Sequence, residues 1–315
     1  MHPIYSIIVP CYNEEAVLRE THRRLTAVMT GMGEAYEIVY VNDGSRDKTG
    51  DILRDIVEGD RNARAVMFAR NRGHQIAVTA GLDHASGDAV VIIDADLQDP
   101  PELIPQMAEK WKQGVQVVYA QRRQRAGETA FKKATASLYY QLINGLTGGL
   151  VPRDTGDFRL VDRKAADAVR AMPEHNRFLR GMFAWVGFRQ EPILYDRDKR
   201  FAGVSHYPLK RMIKLAADGV FSFSQKPLKA ILWLGVALLC AGGVALLALL
   251  ILLLCGTNGG LWWLAALMTA LSGSIVFSLG IAGEYIGRIY DEARGRPLYI
   301  AAEKLGFPDE GGAEA

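Results

Sequence analysis

The sequence has little net charge and few cysteines. Its formal net charge is +2 over 315 residues, which is too small to indicate a nucleic-acid partner, and no basic stretch is studded with aromatic residues. Cys11, Cys240 and Cys255 have no zinc-site spacing and form no disulfide framework, as expected in a reducing compartment. The N-terminus runs straight into an apolar strand with neither a basic leader nor a signal region, so we expect the first domain to stay where it is made.

Residues 230–283 contain no Asp, Glu, Lys, Arg or His. This tract is too long for one helix of a small soluble domain, but it fits two membrane spans of about 20 residues each. Lys226 and Lys229 precede it, Arg288, Arg294 and Arg296 follow it, and the connecting turn at 256–260 is uncharged. The positive-inside rule therefore predicts a multi-pass membrane protein with both ends of the hairpin, and the first domain with them, in the cytoplasm.

We divide the chain into four parts on this basis. We expect residues 1–205 to form a cytoplasmic catalytic domain. Residues 206–227 should form interfacial helices, because apolar residues recur there at helical spacing with basic residues among them. Residues 228–287 form the two transmembrane helices and residues 288–315 a cytoplasmic tail.

Apolar runs alternate with amphipathic segments over the first 95 residues. The runs at 6–10, 36–41, 65–69 and 89–93 are typical of buried strands, and the segments between them of helices. This alternation predicts an α/β domain with a mostly parallel sheet covered by helices on both faces. Ligands bind at the carboxyl ends of strands in such sheets. Polar groups follow three of these strands at 12–14, 43–45 and 94–96.

Asp94 and Asp96, with Gln98 two residues on, form the sharpest local motif. Two carboxylates after a buried strand can turn towards Mg²⁺ or Mn²⁺, which accept oxygen ligands while also gripping a diphosphate. Asp-x-Asp is also common on loops by chance. Asp43 either accepts hydrogen bonds from a base or ribose or belongs to a simple Asp-Gly turn, and Asn13 or Glu14 alternatively caps a helix.

The segment after residue 121 is basic. Its cations either face solvent or hold an acceptor phosphate or anionic lipid; they are Arg122, Arg123, Arg125, Lys132 and Lys133. Asp157 and Arg159 lie in an Asp/Gly-rich stretch for which ordinary loop chemistry is the alternative. Four histidines lack metal-ligand spacing, and we interpret them as structural or surface residues: His74, His84, His175 and His206.

Several motifs resemble the family 2 glycosyltransferases of the dolichyl-phosphate mannose synthase type, and within them the bacterial polyprenyl-phosphate glucosyltransferases. The motifs are IVPCYNEE at 8–15, VNDGS at 41–45, DADLQDPPE at 94–102, RGMFAWVG at 180–187, RFAG at 200–203, FSFS at 221–224 and GEYIGRIY at 283–290. The resemblance extends to about residue 300. It implies a GT-A (Rossmann-like) fold, a nucleotide-sugar donor, Mg²⁺ or Mn²⁺, inversion at the anomeric carbon and a homotetramer.

The resemblance also implies roles for individual residues. The nucleotide-sugar site comprises Pro10, Tyr12, Glu14, Asp43, Asp94, Ala95, Asp96 and Arg200, and Asp94, Asp96 and Gln98 hold the metal. The acceptor phosphate is assigned to Arg122, Lys132, Lys133, Arg159 and Ser205. Asp157 matches an acidic position at the sugar site and, with Asp94, is a candidate catalytic residue. Lys132 and Lys133 stand where some relatives carry arginine, so either of them is the phosphate contact.

The expected reaction transfers a hexose, first of all glucose from UDP-glucose, to polyprenyl (undecaprenyl) phosphate, giving a lipid-linked donor for cell-surface glycans such as O-antigen. GDP-mannose, UDP-galactose, a UDP-N-acetylhexosamine and an aminoarabinose donor remain open. A processive polysaccharide synthase would need a Gln-x-x-Arg-Trp motif and more spans. A lipid-linked-sugar translocase would need ionisable residues within its spans.

Overall fold

The computed structural model describes residues 2–123, 155–196, 226–255 and 260–308. Contacts divide the chain into two units. The first comprises Met1–Ile213 with Pro297–Ala315, and the second Lys214–Arg296. The second part of the first unit is a segment that the sequence pattern assigns to a tail.

The first unit contains one eight-stranded sheet. In chain order its strands are β1 (Tyr5–Cys11), β2 (Tyr36–Asn42), β3 (Ala63–Phe68), β4 (Ala89–Ile92), β5 (Val117–Arg122), β6 (Thr155–Asp162), β7 (Gln190–Tyr195) and β8 (Ala301–Leu305). Their spatial order is β7-β5-β6-β4-β1-β2-β3-β8. Strand β1 pairs in parallel with β2 and β4, β2 with β3, and β5 with β7, whereas β4–β6, β5–β6 and β3–β8 are antiparallel. The expected α/β fold with a mostly parallel sheet is confirmed.

The helices of this unit are α1 (Leu18–Met32), α2 (Thr49–Gly59), α3 (His74–His84), α4 (Ile104–Lys112), α5 (Arg163–Arg170) and α6 (Leu179–Trp185). A 3₁₀ turn at Pro101–Leu103 precedes α4. Helix α1 shows why they form: Leu18, Leu25 and Met29 recur at helical spacing and are buried. Gly33 ends this helix in the left-handed conformation, with φ of 69°.

The central strands are buried on both faces, as in parallel sheets covered by helices. All seven residues of β1 are buried. Helix α3 packs closely on this strand, because a Cβ added at Gly81 would lie 2.2 Å from Cγ2 of Ile8. This close packing fixes α3, and with it the residue that begins the helix, His74.

The returning C-terminal segment completes the edge of the sheet. Strand β8 pairs with β3, and the ring of Tyr299 stacks on that of Phe68 with centroids 4.9 Å apart. The Tyr299 hydroxyl donates to Asp83 at 3.0 Å. No sequence pattern predicts this strand, because its five residues, AAEKL, are only partly apolar.

In the part of the second unit that the structure describes, two helices contact each other: α7 (Lys226–Leu254) and α8 (Gly260–Ala293). Among the described residues, one stretch, Ala270–Ala293, is long and apolar enough to cross a membrane. The transmembrane hairpin therefore stays a prediction. Residues 206–225 of the predicted interfacial helices and the turn at 256–259 lie outside the described residues.

Candidate active site

The carboxyl ends of β1, β2 and β4 lie at one edge of the sheet because these strands are parallel. Strand β6 runs the other way, and its Arg159 is the register partner of Ile92 on β4. Two residues further along this antiparallel register, Asp157 comes opposite Asp94. The topology therefore brings together two carboxylates that lie far apart in the sequence.

Asp157 is held by two cationic side chains. Arg180 makes a bidentate contact with it, from Nε to Oδ1 at 2.7 Å and from the terminal NH2 nitrogen to Oδ2 at 3.1 Å. His74 Nε2 lies 3.3 Å from Oδ2. Burial alone would raise the pKa of Asp157, but Arg180 and His74 outweigh it and hold this pKa well below its usual range. Asp157 is therefore an anion at neutral pH, fixed in one orientation.

His74 lies between the two carboxylates, since its Nε2 is also 3.6 Å from Oδ1 of Asp94. Burial favours the neutral imidazole, but the charges of Asp94 and Asp157 raise the pKa of His74 to about 9. The histidine spacing points to a structural or surface role, and the structure instead places this ring in the centre of the site. One signal was available: His74 begins the helix that follows β3, on the side of the sheet where the parallel strands end.

Asp94 is the least satisfied group in this cluster. Burial raises its pKa to about 6, the charges of Asp157, Asp99 and Asp96 add to this, and His74 opposes it. Its Oδ1 is buried and makes no hydrogen bond to any part of the chain that the structure describes. A buried carboxylate oxygen without a partner is costly and rare. This atom is therefore available to a cation or a ligand.

The turn after Asp94 is tight. Leu97 is buried and has a φ of 56°, a left-handed conformation that bulky residues rarely adopt. The backbone N–H of Gln98 donates to Oδ1 of Asp96 at 3.1 Å. No trio of His, Cys, Asp or Glu in the described ranges is arranged to hold a metal. Asp94 and Asp96 nevertheless fit a divalent cation as a carboxylate pair that needs further oxygens from its ligand.

Asp43 makes a network of its own. Its Oδ1 accepts the N–H of Arg72 at 2.6 Å, and its Oδ2 accepts the N–H of Gly73 at 2.8 Å and the side-chain amide of Asn71 at 2.9 Å. Gly44 has a φ of 64°, and a Cβ there would lie 2.5 Å from the backbone nitrogen of Asn71. Burial raises the pKa of Asp43, and these N–H groups oppose it. Asp43 thus ties the end of β2 to the segment that leads into His74.

The loop after β1 interlocks with the loop after β2. Asn13, with φ of 57°, donates its N–H to Ser45 Oγ at 3.0 Å, and its side-chain oxygen accepts the N–H of Arg46 at 2.9 Å. The N–H of Glu14 donates to Thr49 Oγ1 at 2.9 Å. Tyr12 stays 44% exposed beside this joint, whereas Pro10 is buried within β1.

Two predicted phosphate-binding arginines differ in their surroundings. Arg159 is 4% exposed, donates to the carbonyls of Asp157 and Gly156 and lies over the ring of Phe183 at 5.0 Å. Burial lowers its pKa to about 10, against the opposing charge of Asp157. Arg122 ends β5 and donates from Nε to the Tyr195 hydroxyl at 3.2 Å. Arg159 is thus bound to its own strand, whereas Arg122 reaches the edge of the site.

Six other residues singled out from sequence lie outside the described residues: Arg125, Lys132, Lys133, Arg200, Ser205 and His206. Their roles stay predictions. Arg180 belongs to the RGMFAWVG motif that carries the resemblance, but nothing local in the sequence shows that it binds Asp157.

Comparison with known proteins identifies the family of this chain. Residues 6–170 match the family model described as "Glycosyl transferase family 2". The chain belongs to the family 2 glycosyltransferases. The matched range contains β2–β6, all of β1 except Tyr5, and the side chains of His74, Asp94 and Asp157. The fold is the GT-A-like α/β fold that the motifs predict.

Relatives of this glycosyltransferase match almost end to end. "Uncharacterized glycosyltransferase YkcC" of Bacillus subtilis (strain 168) is 49% identical over 98% of this chain and 96% of its own. The "SfII prophage-derived bactoprenol glucosyl transferase" of Shigella flexneri is 36% identical over 94% of this chain and 96% of its own. A solved glucosyl-3-phosphoglycerate synthase from Mycobacterium tuberculosis is 20% identical, with a TM-score of 0.46, over 70% of this chain and 78% of that one.

Proposed function

We propose that this glycosyltransferase transfers a hexose from a nucleotide sugar to polyprenyl phosphate, with glucose from UDP-glucose as the first candidate. The observation that carries the proposal is the cluster of Asp94, Asp157, His74 and Arg180 at the carboxyl edge of the sheet. The relatives named bactoprenol glucosyl transferases support the sugar and the lipid. GDP-mannose and the other donors remain the alternatives for the sugar.

The donor lies along the edge formed by the β1, β2 and β4 loops. We assign the base and ribose to the exposed Tyr12 ring and the loop around Asp43, and the diphosphate to Asp94 and Asp96. Mg²⁺ or Mn²⁺, when bound at this carboxylate pair, neutralises the charge that develops on the departing diphosphate. The buried, unpaired Oδ1 of Asp94 supports this assignment.

In this proposal Asp157 contacts the sugar of the donor. Its carboxylate is ionised and fixed by Arg180 and His74, so it can hold sugar hydroxyls and stabilise positive charge that develops at the anomeric carbon. No strong base is needed, because the acceptor phosphate is already an anion at neutral pH. The remaining requirement is to place that phosphate in line with the bond that breaks. Arg122 at the edge of the site supplies a cation for this purpose.

The polyprenyl phosphate acceptor is a membrane lipid, so the enzyme must work at the membrane surface. We propose the inner membrane, with the catalytic domain in the cytoplasm, the hairpin of residues 228–287 as anchor, and a homotetramer. The apolar stretch Ala270–Ala293 and the basic flanks of the hairpin support the membrane placement and orientation, whereas the homotetramer rests on the family resemblance. In a protein without Cys240 and Cys255, Asn258→Cys should label from the periplasmic side of intact cells and Glu303→Cys should not. The reverse pattern would overturn the orientation.

Product analysis tests the reaction itself. The purified full chain is incubated with undecaprenyl phosphate and each radiolabelled nucleotide sugar of a panel, with and without EDTA. We expect a labelled, monoglycosylated lipid with one donor, UDP-glucose first, and none in EDTA. Absence of a labelled lipid with every donor would refute the proposal, and a polymer would point to a processive synthase.

A further inference from the structure

Tyr195 connects the turn after the Asp94–Asp96 pair with the end of β5. Its hydroxyl donates to Oδ1 of Asp99 and accepts from Nε of Arg122 at 3.2 Å. Tyr195 is 4% exposed and Asp99 1% exposed, so this chain of hydrogen bonds is shielded from water. Asp99 lies three residues beyond Asp96, within the same turn that carries the metal-binding carboxylates.

The pairing of β5 with β7 explains why the tyrosine reaches the arginine. These strands are parallel, and Arg122 and Tyr195 are register partners at their carboxyl ends. The Tyr195 hydroxyl donates its single proton to Asp99, so its oxygen can only accept the hydrogen bond from Arg122. The guanidinium is therefore held through its Nε N–H, which restricts its orientation.

Gly156 leaves the space that this arrangement needs. A Cβ at this position would lie 3.3 Å from the terminal NH2 nitrogen of Arg122 and 3.9 Å from Oδ2 of Asp99. Gly156 immediately precedes Asp157, so the guanidinium lies beside the backbone that carries the sugar-site carboxylate. Arg122 is thus held between the metal-binding turn and strand β6.

We propose that Tyr195 and Asp99 are positioning residues that orient the Arg122 guanidinium to receive the acceptor phosphate. This inference rests on the proposed function. A free arginine loses rotamer freedom when it binds a phosphate, whereas a guanidinium that is already held loses less, and the difference appears as affinity. Tyr195 and Asp99 therefore affect the affinity for the acceptor, whereas the donor is bound by the other loops.

Tyr195→Phe removes the hydroxyl and keeps the ring. We expect the KM for undecaprenyl phosphate to rise about fivefold, while kcat and the donor KM change less than twofold. Tyr5→Phe is the matched control, because the buried Tyr5 also donates its hydroxyl to a carboxylate, that of Glu34, at 2.9 Å. Tyr5 begins β1 and therefore lies at the end of the strand away from the site. The acceptor KM of this variant should equal that of the wild type.

A double-mutant cycle separates positioning from a general structural effect. Arg122→Lys keeps the charge but lacks Nε, so Tyr195→Phe should add nothing to the acceptor KM in its presence. Full additivity would overturn the inference, as would an unchanged acceptor KM in a folded Tyr195→Phe enzyme or an equal rise in the donor KM. If Tyr195→Phe does not fold, Asp99→Asn decides instead, since it weakens the hydrogen bond to the Tyr195 hydroxyl and should raise the acceptor KM in the same direction with the donor KM unchanged.

The two proposals can fail separately. Absence of transfer to undecaprenyl phosphate by the wild type would refute the proposed function and this inference with it. An active wild type with an unchanged acceptor KM in Tyr195→Phe would refute only the role of Tyr195.

Discussion

Two carboxylates at the same edge of the sheet have opposite surroundings. Asp43, after β2, is 3% exposed, and both of its oxygens accept hydrogen bonds from the segment 71–73. Asp94, after β4, has a buried Oδ1 that makes no hydrogen bond to the described chain. Burial raises the pKa of both groups, but only Asp43 is compensated by N–H donors. The first carboxylate organises the loops around it, and the second is the one to which our proposal assigns the divalent cation.

The local sequence explains the difference. Gly44 follows Asp43 and lets the backbone at 70–71 approach closely, which brings the N–H groups of Arg72 and Gly73 to the carboxylate. Ala95 follows Asp94, and the left-handed turn at Leu97 directs the N–H of Gln98 to Asp96 instead. The surrounding N–H groups therefore distinguish the two carboxylates. Those of Arg72 and Gly73 point to Asp43, whereas that of Gln98 points to Asp96 and leaves Oδ1 of Asp94 without a hydrogen bond.

The largest effect is expected from substitutions in the carboxylate pair that follows β4, Asp94 and Asp96. Asp94→Asn or Asp96→Ala should lower kcat by about 10³-fold or more, because the cation that stabilises the departing diphosphate is lost. Asp94→Asn should change the melting temperature of the metal-free protein little, because it removes a charge that burial disfavours together with its ion pair to His74. Radiometric transfer assays and thermal unfolding measure the two quantities. Full activity of the wild type in excess EDTA would contradict the metal role.

Asp157→Asn should have the next largest effect. It keeps the size of the side chain but removes the charge that faces Arg180 and His74, so kcat should fall about 10²-fold with little change in the donor KM. Asp162→Asn is the control on the same strand: Asp162 caps α5 and should affect stability alone. If Asp157→Asn leaves kcat within about threefold, a barrier change under roughly 0.7 kcal/mol, its catalytic role is wrong. Asp154, the other carboxylate of the same Asp/Gly-rich stretch, then becomes the candidate.

His74→Gln should lower kcat about tenfold, in the range of a single lost charge contact. Glutamine can still donate a hydrogen bond to Asp157 but carries no charge between the two carboxylates. His84→Gln, at the other end of the same helix, is the matched control and should retain wild-type kcat. Equal effects of the two variants would show that His74 serves only the packing of α3.

The sequence predicts local features of this site well and distant contacts poorly. Apolar runs followed by Asp43 or by Asp94 mark strands and their carboxyl ends, because each pattern lies within a few residues. The partners of Asp157 come from α3 and α6, and Tyr195 meets Arg122 only through the pairing of β5 with β7. Strand β8 likewise forms where the chain returns to β3. Such contacts depend on strand order and register, which no local pattern encodes.

Asp43→Asn should have the smallest effect on turnover and a clear effect on stability. The amide oxygen can accept one set of hydrogen bonds, but the NH₂ group then faces N–H donors from Arg72 or Gly73, so about 1–3 kcal/mol of stability should be lost. Asp55→Asn, at an exposed ion pair with Arg19, should cost less than about 1 kcal/mol. Thermal unfolding of the full chain in detergent compares the two variants, and the folded fraction of Asp43→Asn should keep kcat within about threefold of wild type. A loss of turnover with unchanged stability would reverse the contrast and make Asp43, like Asp94, a residue kept for its ligand.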